Sequence, residues 1–244
     1  MKALYLLVPL APLAGAIVAG LFGQAIGRAW SHRITILGVL VSFLVSAYVF
    51  MDVLHGNSWN GSIYTWATIG DTKLEIGFLI DRLTVLMMLV VTFVSLMVHV
   101  YTIGYMHDDP GYQRFFCYIS LFTFSMLMLV MANNFLQLFF GWEAVGLVSY
   151  LLIGFWYTRP TAIYANMKAF LVNRVGDFGF LLGIAVILTH FGSLDYGIVF
   201  SKAASNPFDI TLICLLLFVG AMGKSAQFPL HVWLPDSMEG PTPI

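Results

Sequence analysis

The stretch FFGWEAVGLVSYLLIGFW, Phe139 to Trp156, decides the fold class. Its eighteen residues carry one formal charge, Glu143. A run of this length and polarity is typical of a helix that crosses a bilayer, which needs about 20 apolar residues. An ionised carboxylate at the centre of such a helix costs roughly 2.5–3.5 kcal/mol on insertion scales. Other parts of the chain must therefore offset that cost.

The composition of the whole chain points to the same class. Of its 244 residues, 60% are hydrophobic and 9% are charged, whereas soluble domains carry about 25% charged residues. The apolar runs are continuous rather than alternating, which favours helices over a barrel. A net charge of −1 leaves no basic surface for nucleic acid. Cys117 and Cys214 are isolated in apolar runs and are interpreted as packing residues.

We therefore predict an all-α, polytopic transmembrane helix bundle in a single transmembrane domain. Seven apolar runs have about the length of a membrane span: 3–25, 34–51, 83–105, 115–131, 135–157, 163–190 and 210–230. Between the second and third runs, two β-rich segments flank Gly70-Asp71, a two-residue turn signal that predicts a short extramembrane β-hairpin. The lysines and arginines in the short connections slightly favour an N-terminus on the outside.

Three predicted spans contain ionisable residues well inside their limits: Glu143 in the fifth, Lys168, Arg174 and Asp177 in the sixth, and Lys224 in the seventh. Arg174 and Asp177 are three residues apart and share one helix face, which must meet protein or water rather than lipid. This pair is either a structural ion pair or a functional one. Lys168 is expected to extend its ammonium group to the membrane interface.

A proline interrupts the seventh span close to its lysine. Pro229 has no amide hydrogen, and its ring clashes with the carbonyl four residues earlier, at Ser225. The sequence therefore predicts a proline-broken seventh helix, with free backbone carbonyls beside Lys224. Irregular backbone at membrane depth is tolerated where it lines a cavity, and transporters place ion sites at such breaks.

Glu143 and Lys224 have no opposite charge three or four positions away in their own helices. Their partners must come from other helices or from water. Burial favours the neutral form of each group, so both become able to exchange a proton. This pattern predicts a proton relay between the fifth and seventh spans.

Three segments also carry a resemblance to a known family. They are GWEAVGLVSYLLIGFW around Glu143, MKAFLVNRVGDFGF through Asp177, and GKSAQFPLHVWLPDSMEGPTP from Gly223. All three resemble the large antiporter-like subunit of respiratory complex I (NADH:quinone oxidoreductase), in its N-terminal portion. The resemblance covers essentially the whole chain. Family members continue through further helices, so it implies a fragment that ends before the eighth helix.

The resemblance implies that this chain is a proton-translocating subunit driven by electron transfer in partner subunits. It assigns six residues to the proton path: Glu143 and Lys224 as a coupled pair, Asp177, Arg174 as a modulator, and His231 and Asp236 toward the membrane centre or surface. It also implies no redox centre in this chain, with flavin, iron–sulfur clusters and quinone in partner subunits. The implied partners are other membrane-arm subunits, the lipid bilayer and protons, in the inner (cytoplasmic) membrane of a bacterium or the mitochondrial inner membrane.

Three other interpretations stay open. The first is the large subunit of a multi-subunit cation/proton antiporter, which shares the same motifs. The second is a haem-binding membrane protein that uses His99 with His107 or His190. The third is a structural membrane subunit whose charges only fix helix packing.

Overall fold

The computed structural model of the chain describes residues 1–69, 72–203 and 207–243. Its elements, in chain order, are α1 (Lys2–Leu54), β1 (Trp59–Ile69), β2 (Thr72–Ile80), α2 (Arg82–Tyr105), α3 (Tyr112–Val130), α4 (Phe135–Ile153), α5 (Pro160–Phe191), α6 (Tyr196–Ala203), α7 (Pro207–Lys224) and a 3₁₀ helix (Asp236–Glu239). In this part of the chain, helices α1 to α5 are long and apolar enough to cross a membrane, and 210–224 is a shorter apolar helix. The prediction of an all-α, polytopic bundle with a short hairpin is confirmed.

The chain divides into two compact units. The first unit comprises Met1–Gly61, Phe78–Met131 and the end of the chain from Thr242, and it contains α1, α2 and α3. The second unit comprises Ser62–Gly77 and Ala132–Pro241, and it contains α4 to α7 and the 3₁₀ helix. Every residue that the sequence assigns to the proton path lies in the second unit.

In the first unit, α1 consists of two helical segments that meet at a kink at Gly27. The sequence predicts separate spans at 3–25 and 34–51, and these segments lie side by side: Ser42 Oγ donates a hydrogen bond of 2.7 Å to the Val8 carbonyl, and a Cβ atom at Gly15 would lie 3.1 Å from the Thr35 Cα. Gly27 has a φ of 76° and a ψ of 175°, and at this residue the chain turns so that the second segment runs back along the first. Glycine adopts this conformation without the steric cost that other residues bear, so one residue is enough to turn the chain.

The predicted hairpin forms between α1 and α2. Strands β1 and β2 pair as a two-stranded sheet, and the turn at Gly70-Asp71 lies outside the described residues. After β2, the Asp81 side chain accepts a hydrogen bond of 2.8 Å from the Thr84 amide. This is the capping contact that starts a helix, and it fixes the beginning of α2.

In the second unit, local signals set the limits of α4 and α5. Asn134 caps α4 by accepting a hydrogen bond of 2.8 Å from the Gln137 amide. The helix ends at Ile153, before the predicted limit at 157, because Gly154 takes the cap position and Pro160 begins α5. At the other end of α5, Gly192 has a φ of 65° and closes the helix in the left-handed conformation.

Helices α5 and α7 approach each other closely along a face of glycines. A Cβ atom at Gly176 would lie 3.1 Å from the Gly223 Cα and 3.2 Å from the Val219 carbonyl oxygen. Gly179 and Gly183 continue the same face of α5 toward α7. In membranes, small residues allow this close backbone approach, which lets van der Waals packing hold two helices together. The glycine face therefore brings α7 and its terminal lysine against α5.

Helix α7 ends at Lys224, so the predicted span 210–230 is too long at its C-terminal end. The Ser225 amide makes the last bond of the helical pattern, to the Ala221 carbonyl, and the Ala226 amide then donates to the Gly223 carbonyl in a turn. Pro229 cannot donate a backbone hydrogen bond, which explains why the helix does not resume at that position. Lys224 thus lies at the end of an apolar helix, as the sequence predicts.

Candidate functional site

Glu143 and Arg174 form an ion pair between α4 and α5. Arg174 Nη1 donates to Glu143 Oε2, and the two side chains are 40% and 20% exposed. The guanidinium group also lies over the Phe170 ring, 4.6 Å from its centroid. Glu143 therefore finds its cation on the neighbouring helix, and this pairing offsets part of the cost of placing a carboxylate in an apolar span.

Asp177 is the most deeply buried acid of the site, with 4% of its surface exposed. Its Oδ1 atom accepts a hydrogen bond of 2.7 Å from Trp142 Nε1 and lies 3.6 Å from Lys224 Nζ. Its Oδ2 atom lies 3.9 Å from Arg174 Nη1. The Asp177 carboxylate thus contacts groups from three helices, because Trp142 is on α4, Arg174 is on α5 and Lys224 ends α7.

Lys224 occupies a narrow space between α4 and α5. Its Nζ atom lies 5.9 Å from the centroid of the Trp142 ring, and a Cβ atom at Gly146 would come within 2.6 Å of that nitrogen. The carbonyl of the preceding Gly223 accepts a hydrogen bond of 3.0 Å from Trp233 Nε1. The end of α7 is therefore held from both sides, with its ammonium group directed at Asp177.

Together these contacts form a continuous polar chain, Glu143–Arg174–Asp177–Lys224, which we call the charge chain. The sequence predicts a coupled Glu143–Lys224 pair. The structure joins these two residues through Arg174 and Asp177, and Arg174 binds Glu143 on another helix more closely than it approaches Asp177 on its own. One nitrogen, Arg174 Nη1, faces both carboxylates. A change of charge at Glu143 therefore bears directly on Asp177 and, through it, on Lys224.

Lys168 and Asp236 form a second ion pair outside the charge chain. Lys168 Nζ lies 2.7 Å from Asp236 Oδ2, and the two side chains are 30% and 36% exposed. The sequence predicts that Lys168 extends to the interface without a stated partner, and that Asp236 continues the proton path. His231 is exposed, and the contact that the structure describes for it is with the Phe228 ring, 5.8 Å between centroids.

The three histidines of the haem interpretation lie in different environments. His99 is fully buried in the first unit, where its Nδ1 atom contacts the Ser95 carbonyl at 2.7 Å. His107 is exposed beside Asp108, and His190 packs against Phe191 at the end of α5 in the second unit. Within the described ranges, no group of three or more His, Cys, Asp or Glu side chains is placed to hold a metal ion.

Trp142 belongs to the site but is not among its predicted residues. Its indole donates to Asp177 and stacks on the Phe180 ring, with centroids 4.7 Å apart and an interplanar angle of 7°. A signal for it exists in the sequence, because a tryptophan inside an apolar span needs an acceptor for its N–H group. The identity of that acceptor depends on how α4 packs against α5, and the sequence of α4 alone does not predict this packing.

Gly146 provides a prediction about the position of the lysine. Replacing Gly146 by alanine should move the Lys224 ammonium away from α4, because the new methyl group would lie 2.6 Å from Nζ. The lysine side chain is flexible, so we expect the helices to stay in place and proton transfer to fall without complete loss. The measurement is the rate of the proton translocation that the resemblance implies, in vesicles that contain the implied membrane assembly. Ala144→Gly, a change of one methyl group on the same helix, is the control, and equal transfer by both variants would contradict the prediction.

The fold and this site define a class of protein. The protein is a bundle of apolar helices, and beside the end of α7 it holds two carboxylates, an arginine and a lysine in contact. This combination is typical of ion-translocating membrane proteins. Residues 132–244 match the family model described as NADH:quinone oxidoreductase/Mrp antiporter, transmembrane. Residues 66–116 match the model described as NADH-ubiquinone oxidoreductase (complex I), chain 5 N-terminus.

Curated relatives agree with these models. NADH-quinone oxidoreductase subunit L of Neisseria meningitidis serogroup A is 64% identical over 257 residues, which cover 99% of this chain and 38% of the relative. NADH-ubiquinone oxidoreductase chain 5 of Triticum aestivum is 50% identical over 252 residues, with 99% and 38% covered. A chain in the structure of the Mrp complex from a Dietzia species has the same fold, with a TM-score of 0.85 at 23% identity, covering 98% of this chain and 25% of that one.

The chain belongs to the family of antiporter-like membrane subunits of complex I and Mrp antiporters, and the resemblance seen in the sequence is confirmed. Within that family it is similar to subunit L and chain 5 of NADH:quinone oxidoreductase, and it spans 38% of the length of these relatives. Its long apolar helices and its family make it an integral, multi-pass protein of the inner membrane.

Proposed function

We propose that this chain translocates protons as part of a membrane-arm subunit of an NADH:quinone oxidoreductase. The observation that carries the proposal is the charge chain, in which two carboxylates, an arginine and a lysine from three helices lie in successive contact. The identity to subunit L and chain 5 supports the choice of complex I as the assembly. Electron transfer would take place in partner subunits, which would hold the flavin, the iron–sulfur clusters and the quinone.

The first step of the mechanism is a change of charge at Glu143. While Glu143 is ionised, it holds Arg174 Nη1 and keeps that nitrogen 3.9 Å from Asp177. Protonation of Glu143 removes the attraction on Arg174. The guanidinium group is then free to move onto the Asp177 carboxylate, which is its other near acceptor.

The second step is the release of the Lys224 proton. At 3.6 Å, an ion pair is worth on the order of 4 kcal/mol at an effective dielectric constant of 20, before desolvation is subtracted. Arg174 competes with Lys224 for Asp177, so its arrival weakens the interaction that keeps Lys224 protonated. Moving one charge against 100 mV requires about 2.3 kcal/mol. The competition is therefore of the right size to drive a proton onward.

A subunit of a cation/proton antiporter is the second candidate, because the matching family model and the Dietzia structure both include Mrp complexes. The two candidates differ in what drives proton movement. In complex I it is electron transfer, and in an antiporter it is a gradient of another cation.

The test is proton movement by the complete assembly that contains this chain, purified and reconstituted in vesicles. We expect NADH and a quinone to drive proton uptake or release across the membrane, and a sodium gradient alone to drive none. A sodium gradient that moves protons without NADH, in an assembly that does not oxidise NADH, would contradict the proposal and favour the antiporter.

A further inference from the structure

The chain beyond α7 returns to α5 and is held there by two polar contacts. Lys168 Nζ lies 2.7 Å from Asp236 Oδ2, and Thr161 Oγ1 donates a hydrogen bond of 3.0 Å to Glu239 Oε2. Thr161 and Lys168 are seven residues apart, which places them on one face of α5. The two acids belong to the 3₁₀ helix, three residues apart. We call this pair of contacts the clasp.

The segment that carries the clasp also contacts the two other helices of the site. The Trp233 ring packs against Ile153 at the end of α4 and against Ala165 and Ala169 on α5. Its indole N–H donates to the carbonyl of Gly223, the residue before Lys224. The chain after the helix break is thus fastened to α4, α5 and α7 at once.

We propose that Lys168 and Asp236 are positioning residues, which hold the chain beyond Lys224 so that the lysine stays beside Asp177. The proposal rests on the proposed function of Lys224. Helix α7 ends at Lys224, so regular helix does not hold the chain that follows this residue. The restraint comes instead from the segment 225–241, and the clasp fixes the far end of that segment on α5. The clasp therefore acts together with the Trp233–Gly223 hydrogen bond to keep Lys224 beside Asp177.

The clasp gives Asp236 a different role from the one that the resemblance implies. A member of the proton path must exchange protons, whereas a positioning residue needs only its ionised partner. In this structure the Asp236 carboxylate forms an ion pair with a lysine ammonium group. Reversal of the two charges separates the roles, because a lysine at 236 can re-form the ion pair but removes the carboxylate that a proton carrier would need.

The variants are made in the complete assembly and tested by the ratio of protons moved to NADH oxidised. Lys168→Met and Asp236→Asn should each lower this ratio roughly two- to fivefold, which is the effect of a partly exposed ion pair. The reversed pair, Lys168→Asp with Asp236→Lys, should restore most of it, and Lys168→Arg should change it little. There are two control variants. Lys73→Met replaces an exposed lysine of β2, and Thr189→Val replaces an exposed threonine whose hydroxyl donates to backbone carbonyls within α5.

Hydrogen exchange of the amides of residues 225–241 in the same assemblies gives an independent readout. It should be faster in both single variants and slow again in the reversed pair.

Normal proton ratios in both single variants would overturn the proposal, whatever the exchange rates. Loss of transfer with Lys168→Arg would overturn it in favour of Lys168 as a proton carrier. A reversed pair that assembles and slows exchange without recovering transfer would overturn it in favour of Asp236 as a proton carrier. Failure of the proposed function gives a different result: Lys224→Met then leaves proton transfer intact. The hydrogen-exchange rates of residues 225–241 do not depend on that outcome.

Discussion

Replacing Lys224 by methionine should reduce NADH-driven proton transfer to the background of protein-free vesicles. Methionine has a similar length and fills the space beside Gly146 and Trp142, so helix packing should be preserved. It cannot carry a proton or a charge, however, and Asp177 then loses the ammonium group that lies 3.6 Å from its carboxylate. Proton transfer stops because no proton donor remains at the α7 end of the charge chain. The measurement is the initial rate of proton movement in vesicles that contain the complete assembly.

Two further variants separate the loss of the proton donor from a loss of structure. Lys73→Met removes an exposed lysine from β2 and should leave transfer unchanged. Lys224→Arg keeps the charge but not the compact ammonium group, and arginine does not release its proton at accessible pH. We expect Lys224→Arg to assemble normally and to transfer few protons. Transfer by Lys224→Met at the wild-type rate would rule out a role for this lysine.

Replacing Glu143 by glutamine should also abolish proton transfer, for a different reason. Glutamine is nearly isosteric but cannot be ionised, so Arg174 loses its charged partner on α4. The guanidinium group would then remain at Asp177, and the alternation between the two carboxylates would stop. Glu143→Asp should retain part of the transfer, because the charge persists at a shorter reach.

The matched control for Glu143 is Glu75→Gln, which makes the same change in β2 and should leave transfer unaffected. The amount of assembled complex must be measured for each variant, since removing one partner of a partly buried ion pair leaves the other without its counter-charge and destabilises the protein. A Glu143→Gln assembly that is present in normal amounts and transfers protons at the wild-type rate would refute the mechanism.

The class of fold was predictable because it depends on composition and on local signals. Long apolar runs can satisfy their backbone only as helices in a membrane, and this gives the bundle without any knowledge of packing. Pro229 predicts the end of α7 near Lys224 in the same local way. Arg28 and Arg33 mark the connection between the first two predicted spans in the same local way, and the chain turns at Gly27 beside them.

The partners of the charged residues were not predictable, because they are set by how separate helices pack. Helical spacing alone pairs Arg174 with Asp177, whereas the closer acid is Glu143 on another helix. The glycine face of α5, at Gly176 and Gly179, brings α7 against α5 and so sets the other contact of the charge chain, between Asp177 and Lys224. The spacing of those glycines is visible in the sequence, but the sequence does not identify the helix that packs against them.

The most direct test of the charge chain is a double-mutant cycle between its two ends. Glu143→Asp and Lys224→Arg are made singly and together in the complete assembly, and the rate of NADH-driven proton transfer is measured for each. If two residues act independently, their effects on the activation free energy add. If they act through one network, these effects do not add. We predict that the double variant transfers protons at about the rate of the slower single variant. A double variant whose rate equals the product of the two separate reductions would show that Glu143 and Lys224 act independently, and would contradict the charge chain.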